Sequence, residues 1–375
     1  MVPFEFQPRT RVIFGQGTSE RTGAVARDLG FRRTLLVADA GVVQAGHVAS
    51  VARSLDAAGI DVIPFHEFGV NPDSAMMERG RAFAAGLAVD SIIGLGGGSS
   101  LDSAKGINFL LTNGGVMADY RGYGKAATPL LPMIGIPTTA GTGSEAQSYA
   151  VLADAATHMK MACGDPSAAF KVAILDPVLT RTTPRAVTAM AGFDAIAHAV
   201  ETAVTVKRTA LSAAFSQQSW RLLTDNFERV LLHPDDIEAR AAMQIGAHFA
   251  GMAIEQSMLG AAHACANPLT ARFNLTHGLA LAILLPHVVR WNGGVASERY
   301  GALIGVSQRE ATETLVRRLE ELRTAGDLPT TLGDSGVDSG ALPDLAHEAA
   351  AQWTGTFNPR PFDESGALEI YRGAM

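Results

Sequence analysis

Four residues that could bind a metal ion lie between Gly192 and His277 of the 375-residue sequence. Asp194 and His198 are four residues apart in an alanine-rich run, so one helix would present both side chains on one face. His263 and His277 add two imidazoles, each beside small residues or glycine that allow the chain to approach closely. We therefore predict that these four residues bind one divalent metal ion. The alternative for the first pair is an ordinary hydrogen bond on a helix surface.

A glycine-rich segment, residues 94–99 (GLGGGS), follows an apolar run and opens a helical one. Glycines allow the backbone to approach a pyrophosphate, and the free amides at a helix amino terminus bind anions. The pattern is neither G-x-G-x-x-G nor a Walker A loop. It indicates a phosphate-binding loop, with a tight turn that binds nothing as the alternative.

A second loop of this kind, residues 137–145 (PTTAGTGSE), also follows an apolar run. Its hydroxyls and exposed amides can line a ribose or a phosphate. Two such loops at strand ends of one sheet favour a dinucleotide. Asp39, at the end of another predicted strand, is placed to accept hydrogen bonds from a ribose diol and to repel a 2′-phosphate, although it could equally cap a helix.

The elements that must position these residues change in character near residue 184. Before it, short apolar runs alternate with helical ones, which predicts a parallel sheet covered on both faces. After it, the runs are long, alanine-rich and helical. We predict an α/β domain over residues 1–184 and an all-helical domain over residues 185–375. The predicted strands are 11–15, 34–39, 61–65, 91–96, 133–137 and 172–175, and the predicted helices of the first domain include 18–29, 43–58 and 73–86.

Composition limits the class of protein. Hydrophobic residues make up 47% of the chain and charged residues 18%, as in globular proteins with a real core. The net charge of -7 argues against a nucleic-acid or anionic-membrane surface. Two cysteines cannot form a disulfide framework, and no signal peptide is evident, which together predict a cytoplasmic protein. Apolar runs such as 278–289 are too short to span a bilayer.

Taken together, these motifs resemble those of the iron-containing (group III) alcohol dehydrogenase family over nearly the whole chain. The matching positions are Gly96 to Ser99 with Asp102, residues 137–145, Asp176-Pro177, Gly192 to Ala195 with His198 and Glu201, and His277-Gly278 with residues 285–287. The resemblance implies a dehydroquinate synthase-like fold: an amino-terminal nucleotide-binding domain built on a parallel sheet, and a carboxyl-terminal helical domain that binds the metal. It also implies a homodimer or a higher homo-oligomer.

The same resemblance implies which residues bind the cofactors. The metal, Fe²⁺ or alternatively Zn²⁺, would be held by Asp194, His198, His263 and His277. NAD would contact Asp39, Asn71, Gly97, Gly98, Ser99, Thr138, Thr139, Thr142, Lys160 and Leu179. Lys160 could also be a solvated surface lysine. The implied activity is hydride transfer between NAD(H) and a small primary alcohol or diol and its aldehyde.

One position departs from the family. Where a histidine often serves as a proton relay, this chain has Asn267, whose amide does not titrate near neutral pH. The catalytic proton relay therefore stays unassigned: bulk water, His277 or a substrate hydroxyl moves the proton, or Asn267 orients the substrate. Three alternative functions remain at this point. They are a metal- and NAD-dependent lyase of the dehydroquinate synthase type, a reductase resembling maleylacetate reductase, and a non-catalytic nucleotide-binding protein.

Overall fold

The computed structural model describes residues 3–69 and 71–375. The chain divides into two compact units. One comprises Gln7–Thr139 and Gly143–Thr183, and is called the α/β unit below. The other, the helical unit, comprises Ala140–Thr142, Pro184–Met375 and the amino-terminal residues through Phe6. The helical unit thus includes three residues from the middle of the second glycine-bearing loop, which no sequence pattern predicts.

The strands of the α/β unit are β1 Arg11–Phe14, β2 Arg33–Val37, β3 Asp61–Phe65, β4 Ser91–Gly96, β5 Gly122–Tyr123, β6 Met133–Pro137, β7 Tyr149–Ala153, β8 Lys160–Gly164 and β9 Val172–Leu175. Six of these described strands form the main sheet in the order β1-β9-β6-β4-β2-β3, all parallel to their neighbours. This confirms the predicted parallel sheet. Strands β4, β6 and β9 are buried along their whole length, because helices cover both faces.

Two apolar cores lie on the two faces of this sheet. Leu35 and Ile92 belong to one core, whereas Leu36 and Ile93 belong to the other. The alternation follows from the extended backbone, in which successive side chains point to opposite faces. The helices of the unit are α1 Thr22–Asp28, α2 Ala40–Gln44, α3 His47–Ala57, α4 Ser74–Ala84 and α5 Gly98–Asn113.

The register of the central strands aligns the loops that follow them. Gly96 at the end of β4 is paired with Pro137 at the end of β6, and Val37 of β2 is paired with Gly94. The carboxyl ends of β2, β4 and β6 therefore meet at one edge of the sheet. This is the edge at which parallel sheets bind ligands.

The structure differs from the predicted elements in three places. The helix expected over residues 43–58 is two helices, because Gly46 adopts a left-handed conformation with φ of 81° between α2 and α3. The helix expected from residue 18 begins as a 3-10 turn, Thr18–Arg21, and Thr18 does not cap it. Strands β5, β8 and β7 form a second small sheet that the sequence pattern does not predict. Burial of Leu152 and Cys163 accounts for its stability, but its strands carry few β-branched residues.

The helical unit contains long, apolar helices around one core. In helix α6, Arg185–Val204, every residue from Gly192 to Val204 is buried, so protein surrounds this part of the helix on all sides. Its alanines permit close packing of neighbouring helices. The helices of the unit are α6 Arg185–Val204, α7 Ala210–Leu232, α8 Ile237–Glu255, α9 Ala261–Phe273, α10 His277–Ile304, α11 Gln308–Ala325, α12 Leu342–Ala350 and α13 Glu364–Gly373.

Helix α10 is longer than its apolar sequence run suggested. Among the described residues it is the one helix long and apolar enough to cross a membrane by length and composition. However, 67% of its most apolar window is buried inside the protein. Packing in the core of the helical unit accounts for its composition.

Candidate metal centre and nucleotide loops

Helix α6 presents Asp194 and His198 one turn apart, as their spacing predicts. Nε2 of His198 lies 3.2 Å from Oδ1 of Asp194, and both side chains are buried. Alanine and other good helix formers continue the helix through this pair. Two potential ligands therefore project from a single rigid element.

Helices α9 and α10 bring two further imidazoles to the same place. Nε2 of His263 lies 3.7 Å from Oδ1 of Asp194. One ligand atom each from Asp194, His263 and His277 lies within 4.8 Å of the others, an arrangement that could hold a metal ion. The ring of His198 stacks on that of His263 with centroids 4.8 Å apart. All four predicted metal ligands thus lie together, with three in the tightest group and His198 against them.

Gly278 explains how His277 reaches this group. A Cβ atom at Gly278 would lie 2.1 Å from the carbonyl oxygen of Met190, which belongs to α6. Only glycine therefore allows α10 to begin so close to α6. The glycine beside His277 in the sequence serves this close approach between helices.

The donor atoms of the cluster fit a divalent transition metal. Oδ1 of Asp194 and Nε2 of His263 are buried and have no hydrogen-bond partner within the described residues. Such atoms are costly to bury unless something binds them, and a cation would satisfy both at once. Imidazole nitrogens with one carboxylate oxygen suit Fe²⁺ and Zn²⁺ equally well, since neither ion demands sulfur.

The surrounding charges and burial give His198 and His263 different pKa values. Burial lowers the pKa of His198 to about 4. Burial acts on His263 in the same direction, but the negative charges of Glu201 and Asp194 outweigh it and raise the pKa of His263 to about 9. Burial would raise the pKa of Asp194, yet attraction to His198 and His263 holds that pKa below its ordinary value. The carboxylate is therefore ionised and ready to bind a cation.

Glu201 is a residue at this centre that the site prediction missed. Its Oε2 atom lies 2.5 Å from Nδ1 of His263, and its Oε1 atom accepts a hydrogen bond of 2.7 Å from the backbone amide of Ala262. The available signal was its spacing, because Glu201 follows Asp194 by seven residues and His198 by three, on the same helix face.

The first predicted nucleotide loop, residues 94–99, joins the end of β4 to the amino terminus of α5, as expected. Gly97 is the N-cap residue of α5 with no side-chain cap, and Gly98 and Ser99 are its first residues, so amides of the first turn remain available to an anion. Gly96 has φ of 142°, and a Cβ atom there would lie 2.3 Å from Oγ of Ser100. Glycine is therefore required where the strand turns into the helix.

Asp39 lies beside this loop and also caps a helix. Its Oδ1 atom accepts hydrogen bonds from the amides of Gly41 and Val42 at the start of α2, while its Oδ2 atom accepts one of 3.0 Å from Ser100. The capping role left open by the sequence is thus present. Because Asp39 is half-buried next to the glycine loop, its position also suits a ribose contact.

The second predicted nucleotide loop, residues 137–145, starts beside the first. The Thr138 amide donates to the Gly96 carbonyl at 3.0 Å. Oγ1 of Thr139 would lie 3.3 Å from a Cβ atom placed on Gly97. Thr142 follows in the part of this loop that belongs to the helical unit, where Gly141 packs closely on Ala191. Thr138, Thr139, Gly97 and Gly98 therefore line one edge of the sheet, and the role of each as an NAD contact stays a prediction.

The remaining predicted NAD contacts, Asn71, Lys160 and Leu179, are more dispersed. Lys160 in β8 is paired with Ala153 of β7 and is half-buried. Asn71 has φ of 53° and precedes Pro72, whose carbonyl accepts the Ala153 amide. Leu179 follows β9 and is buried in the core. The contacts of Asn71, Lys160 and Leu179 with NAD stay predictions.

A buried lysine that no sequence pattern singles out holds the end of the second loop. Nζ of Lys105 donates to the carbonyls of Ser144, Gln147 and Tyr149 at 2.7 to 2.8 Å. The side chain is fully buried in α5. Helix α5 thereby connects the two loops: its amino terminus carries the first, and Lys105 anchors the second.

Asn267, the position that departs from the family, lies one helical turn after His263 on α9. Its amide nitrogen donates a hydrogen bond of 3.1 Å to Oε1 of Gln352. Its Oδ1 atom accepts no hydrogen bond from any residue in the described ranges, and the side chain is half-buried. The side chains of Asn267 and Gln352 are therefore two hydrogen-bonded amides, neither of which titrates near neutral pH.

Comparison with known proteins agrees with this geometry. A family described as iron-containing alcohol dehydrogenase matches residues 8–177, and its carboxyl-terminal counterpart matches residues 188–375. The NAD-dependent methanol dehydrogenase of Bacillus methanolicus is 31% identical over 99% of both chains. The chain belongs to the iron-containing alcohol dehydrogenase family. This confirms the family and the enzyme class that the motifs indicated.

Other relatives place this iron-containing alcohol dehydrogenase among enzymes named for several substrates. It is 31% identical to lactaldehyde reductase of Escherichia coli, over 96% of this chain and 97% of the relative. A crystal structure of 1,3-propanediol oxidoreductase superimposes with a TM-score of 0.96 at 31% identity, covering all of both chains. This likeness confirms the predicted fold class. Equal identities to enzymes with different names mean that overall similarity does not select a substrate.

Proposed function

We propose that this iron-containing alcohol dehydrogenase transfers hydride between NAD(H) and a small primary alcohol or diol and the corresponding aldehyde. The observation that carries the proposal is the cluster of buried Asp194, buried His263 and half-buried His277, with His198 against it. Relatives over nearly the full length are named NAD-dependent methanol dehydrogenase, 1,3-propanediol dehydrogenase and lactaldehyde reductase. Their substrates share a small size and a terminal hydroxyl or aldehyde.

The metal would be held by Asp194, His198, His263 and His277, and we propose Fe²⁺ with Zn²⁺ as the second candidate. When bound, such an ion supplies Lewis acidity, which makes a substrate hydroxyl more acidic and a carbonyl more electrophilic. Asp194 contributes a negative charge that favours a cation, and each imidazole would contribute a nitrogen donor once the ion has displaced any proton from that nitrogen. Asp194, His198 and His263 are buried, and this exclusion of water strengthens their electrostatic effect, whereas His277 is half-buried.

The nucleotide would bind along the sheet edge formed by the ends of β2, β4 and β6. Amides at the start of α5, around Gly97 to Ser99, would bind the pyrophosphate. Asp39 would accept hydrogen bonds from the ribose hydroxyls and select NAD over NADP. Thr138, Thr139 and Thr142 would line the second loop, and Asn71, Lys160 and Leu179 would complete the NAD contacts.

Asn267 would orient the substrate rather than relay a proton. Its amide group is held by Gln352, so its Oδ1 atom remains as an acceptor on the face of α9 one turn from His263. A substrate with a second hydroxyl could donate a hydrogen bond to that oxygen. The proton of the reacting hydroxyl would then leave through His277, a substrate hydroxyl or water.

We also propose a cytoplasmic homodimer. Strand β1 lies at an edge of the six-stranded sheet, and Val12 and Phe14 on it are 38% and 45% exposed. An apolar edge strand is a natural place for a second copy of the chain to pair. Both cysteines, Cys163 and Cys265, are free and buried, in keeping with a reducing compartment.

The experiment that tests the function follows NADH absorbance. Purified apo-protein is loaded separately with Fe²⁺ and Zn²⁺ and given a panel of short alcohols, diols and aldehydes. Turnover that depends on the metal is expected for at least one alcohol and its aldehyde. No turnover with any member of the panel, at any metal loading, would refute the proposal.

A further inference from the structure

Glu201 is buried at the metal cluster but is not one of the four proposed ligands. It is 3% exposed and lies on the face of α6 that carries Asp194 and His198. Both of its carboxylate oxygens have specific partners: Oε2 lies 2.5 Å from Nδ1 of His263, and Oε1 accepts the Ala262 amide at 2.7 Å. The carboxylate is therefore anchored to the first turn of α9 and to the ring of His263 simultaneously.

This anchoring determines which nitrogen of His263 faces the cluster. With Nδ1 bonded to Glu201, Nε2 is the atom that lies 3.7 Å from Oδ1 of Asp194. A ring flip would break the bond to the carboxylate and turn a carbon toward it. A carboxylate bonded to one imidazole nitrogen keeps a proton there and leaves the other nitrogen as the metal donor.

We propose that Glu201 is a positioning residue that orients His263 for the metal. The inference rests on the proposed metal site. The bond between Glu201 and Nδ1 fixes the orientation of the His263 ring, so that Nε2 stays directed toward Oδ1 of Asp194.

The surroundings of Glu201 hold it in this position. A Cβ atom on Gly260 would lie 3.0 Å from Oε1 of Glu201 and 3.0 Å from Oδ1 of Asn358. Oδ1 of Asn358 in turn accepts hydrogen bonds from the backbone amide of Ala261 and from the side-chain amide of Asn292. The absence of a side chain at Gly260 therefore leaves space for the Glu201 carboxylate beside the start of α9.

The variant Glu201→Gln keeps the size of the side chain but replaces the carboxylate by a neutral amide, which changes the direction of one hydrogen bond. Its amide oxygen can still accept the Ala262 amide, but its amide nitrogen would then donate to Nδ1 of His263 and leave Nε2 protonated toward the cluster. The matched control is Glu313→Gln, because Glu313 lies on α11 with its side chain 70% exposed. Zn²⁺ affinity of the apo-proteins is measured by competition with a chromophoric chelator.

We expect Glu201→Gln to weaken Zn²⁺ binding by roughly 10- to 100-fold, with NADH affinity and the control unchanged. Zn²⁺ affinity within threefold of wild type in a folded Glu201→Gln protein would overturn the proposal. A wild-type enzyme without turnover would contradict the proposed function instead, so the two failures are distinguishable.

A second measurement needs no variant of Glu201. In Zn²⁺-loaded wild type with ¹⁵N-labelled histidine, long-range ¹H–¹⁵N correlation reports the tautomer of each ring, and His263 is assigned by its loss in His263→Asn. We expect a proton on Nδ1 and none on Nε2. A proton on Nε2 would refute the role of Glu201 even if Glu201→Gln fails to fold.

Discussion

The hydroxyl of Ser100 donates a hydrogen bond of 3.0 Å to Oδ2 of Asp39, which joins the end of β2 to the first turn of α5. The Asp39 carboxylate therefore accepts three structural hydrogen bonds, from Gly41, Val42 and Ser100, in addition to its proposed contact with ribose. A substitution that tests the ribose contact must preserve the cap on α2. Asparagine caps helices as well as aspartate does, whereas glycine forms no side-chain bond.

Asp39→Asn is expected to shift cofactor preference toward NADP(H) while leaving stability nearly unchanged. Loss of the negative charge removes repulsion of a 2′-phosphate, and a change of about 1.4 kcal/mol alters the ratio of kcat/KM for the two cofactors roughly tenfold. Asp39→Gly should show the same shift. An unchanged ratio in Asp39→Asn would mean that Asp39 serves only as a cap and a partner of Ser100.

His263→Ala is expected to abolish metal binding and to leave NADH affinity nearly intact. The reason is that His263 belongs to the helical unit, whereas every predicted NAD contact except Thr142 belongs to the α/β unit. Metal content is measured by elemental analysis and NADH binding by fluorescence. His347→Ala is the control, since the His347 side chain is 78% exposed. Stoichiometric metal in the His263 variant would contradict the assignment.

Gly278→Ala is expected to weaken metal binding and to destabilise the fold by about 1–3 kcal/mol through overpacking. The added Cβ would lie 2.1 Å from the Met190 carbonyl, so the start of α10 must move and carry His277 with it. Gly294→Ala in the same helix is the control, because a Cβ there meets nothing within 4 Å. Unfolding in denaturant and Zn²⁺ titration measure the two effects. Equal behaviour of both variants would show that the close approach at Gly278 is unimportant.

Asn267→Ala is expected to lower kcat/KM for a diol by roughly three- to tenfold, as for the loss of one hydrogen bond, and to leave a monoalcohol of equal length unaffected. The comparison of 1,3-propanediol with 1-propanol provides the readout. Gln352→Leu is the companion variant, because it removes the hydrogen bond to Asn267 and lets the Asn267 amide rotate. Equal losses on both substrates would refute a contact with the second hydroxyl.

Stability should fall in mild acid because of His287. Burial, together with Arg290 and Arg323, lowers the pKa of His287. The unfolded chain therefore takes up a proton near pH 6.5, its usual pKa, before the folded chain does, and the free energy of unfolding decreases as pH falls below about 6.5. His287→Gln should flatten this dependence in thermal melts, whereas His347→Gln should not. Parallel pH curves for wild type and His287→Gln would disprove the effect.

Much of this protein follows from its sequence because several signals are local. The four-residue spacing of Asp194 and His198 defines one helix face wherever the helix lies. Strands β3, β4, β6 and β9 coincide with their predicted bounds, because each is a short apolar or β-rich run ended by a turn-forming or polar segment. The glycine-rich sequence at the end of β4 indicates by itself that the backbone there can approach a ligand closely, whatever segment lies beside it.

Tertiary structure alone determined the relationships between distant residues. Nothing local relates His263 to Glu201, 62 positions apart, or shows that Gly278 lies against Met190. The small sheet of β5, β7 and β8 was missed because its strands are stabilised by burial rather than by propensity. Sequence spacing thus determined which side chains share an element, while the packing of α6, α9 and α10 determined which of them meet, because long-range contacts depend on how whole helices fit together.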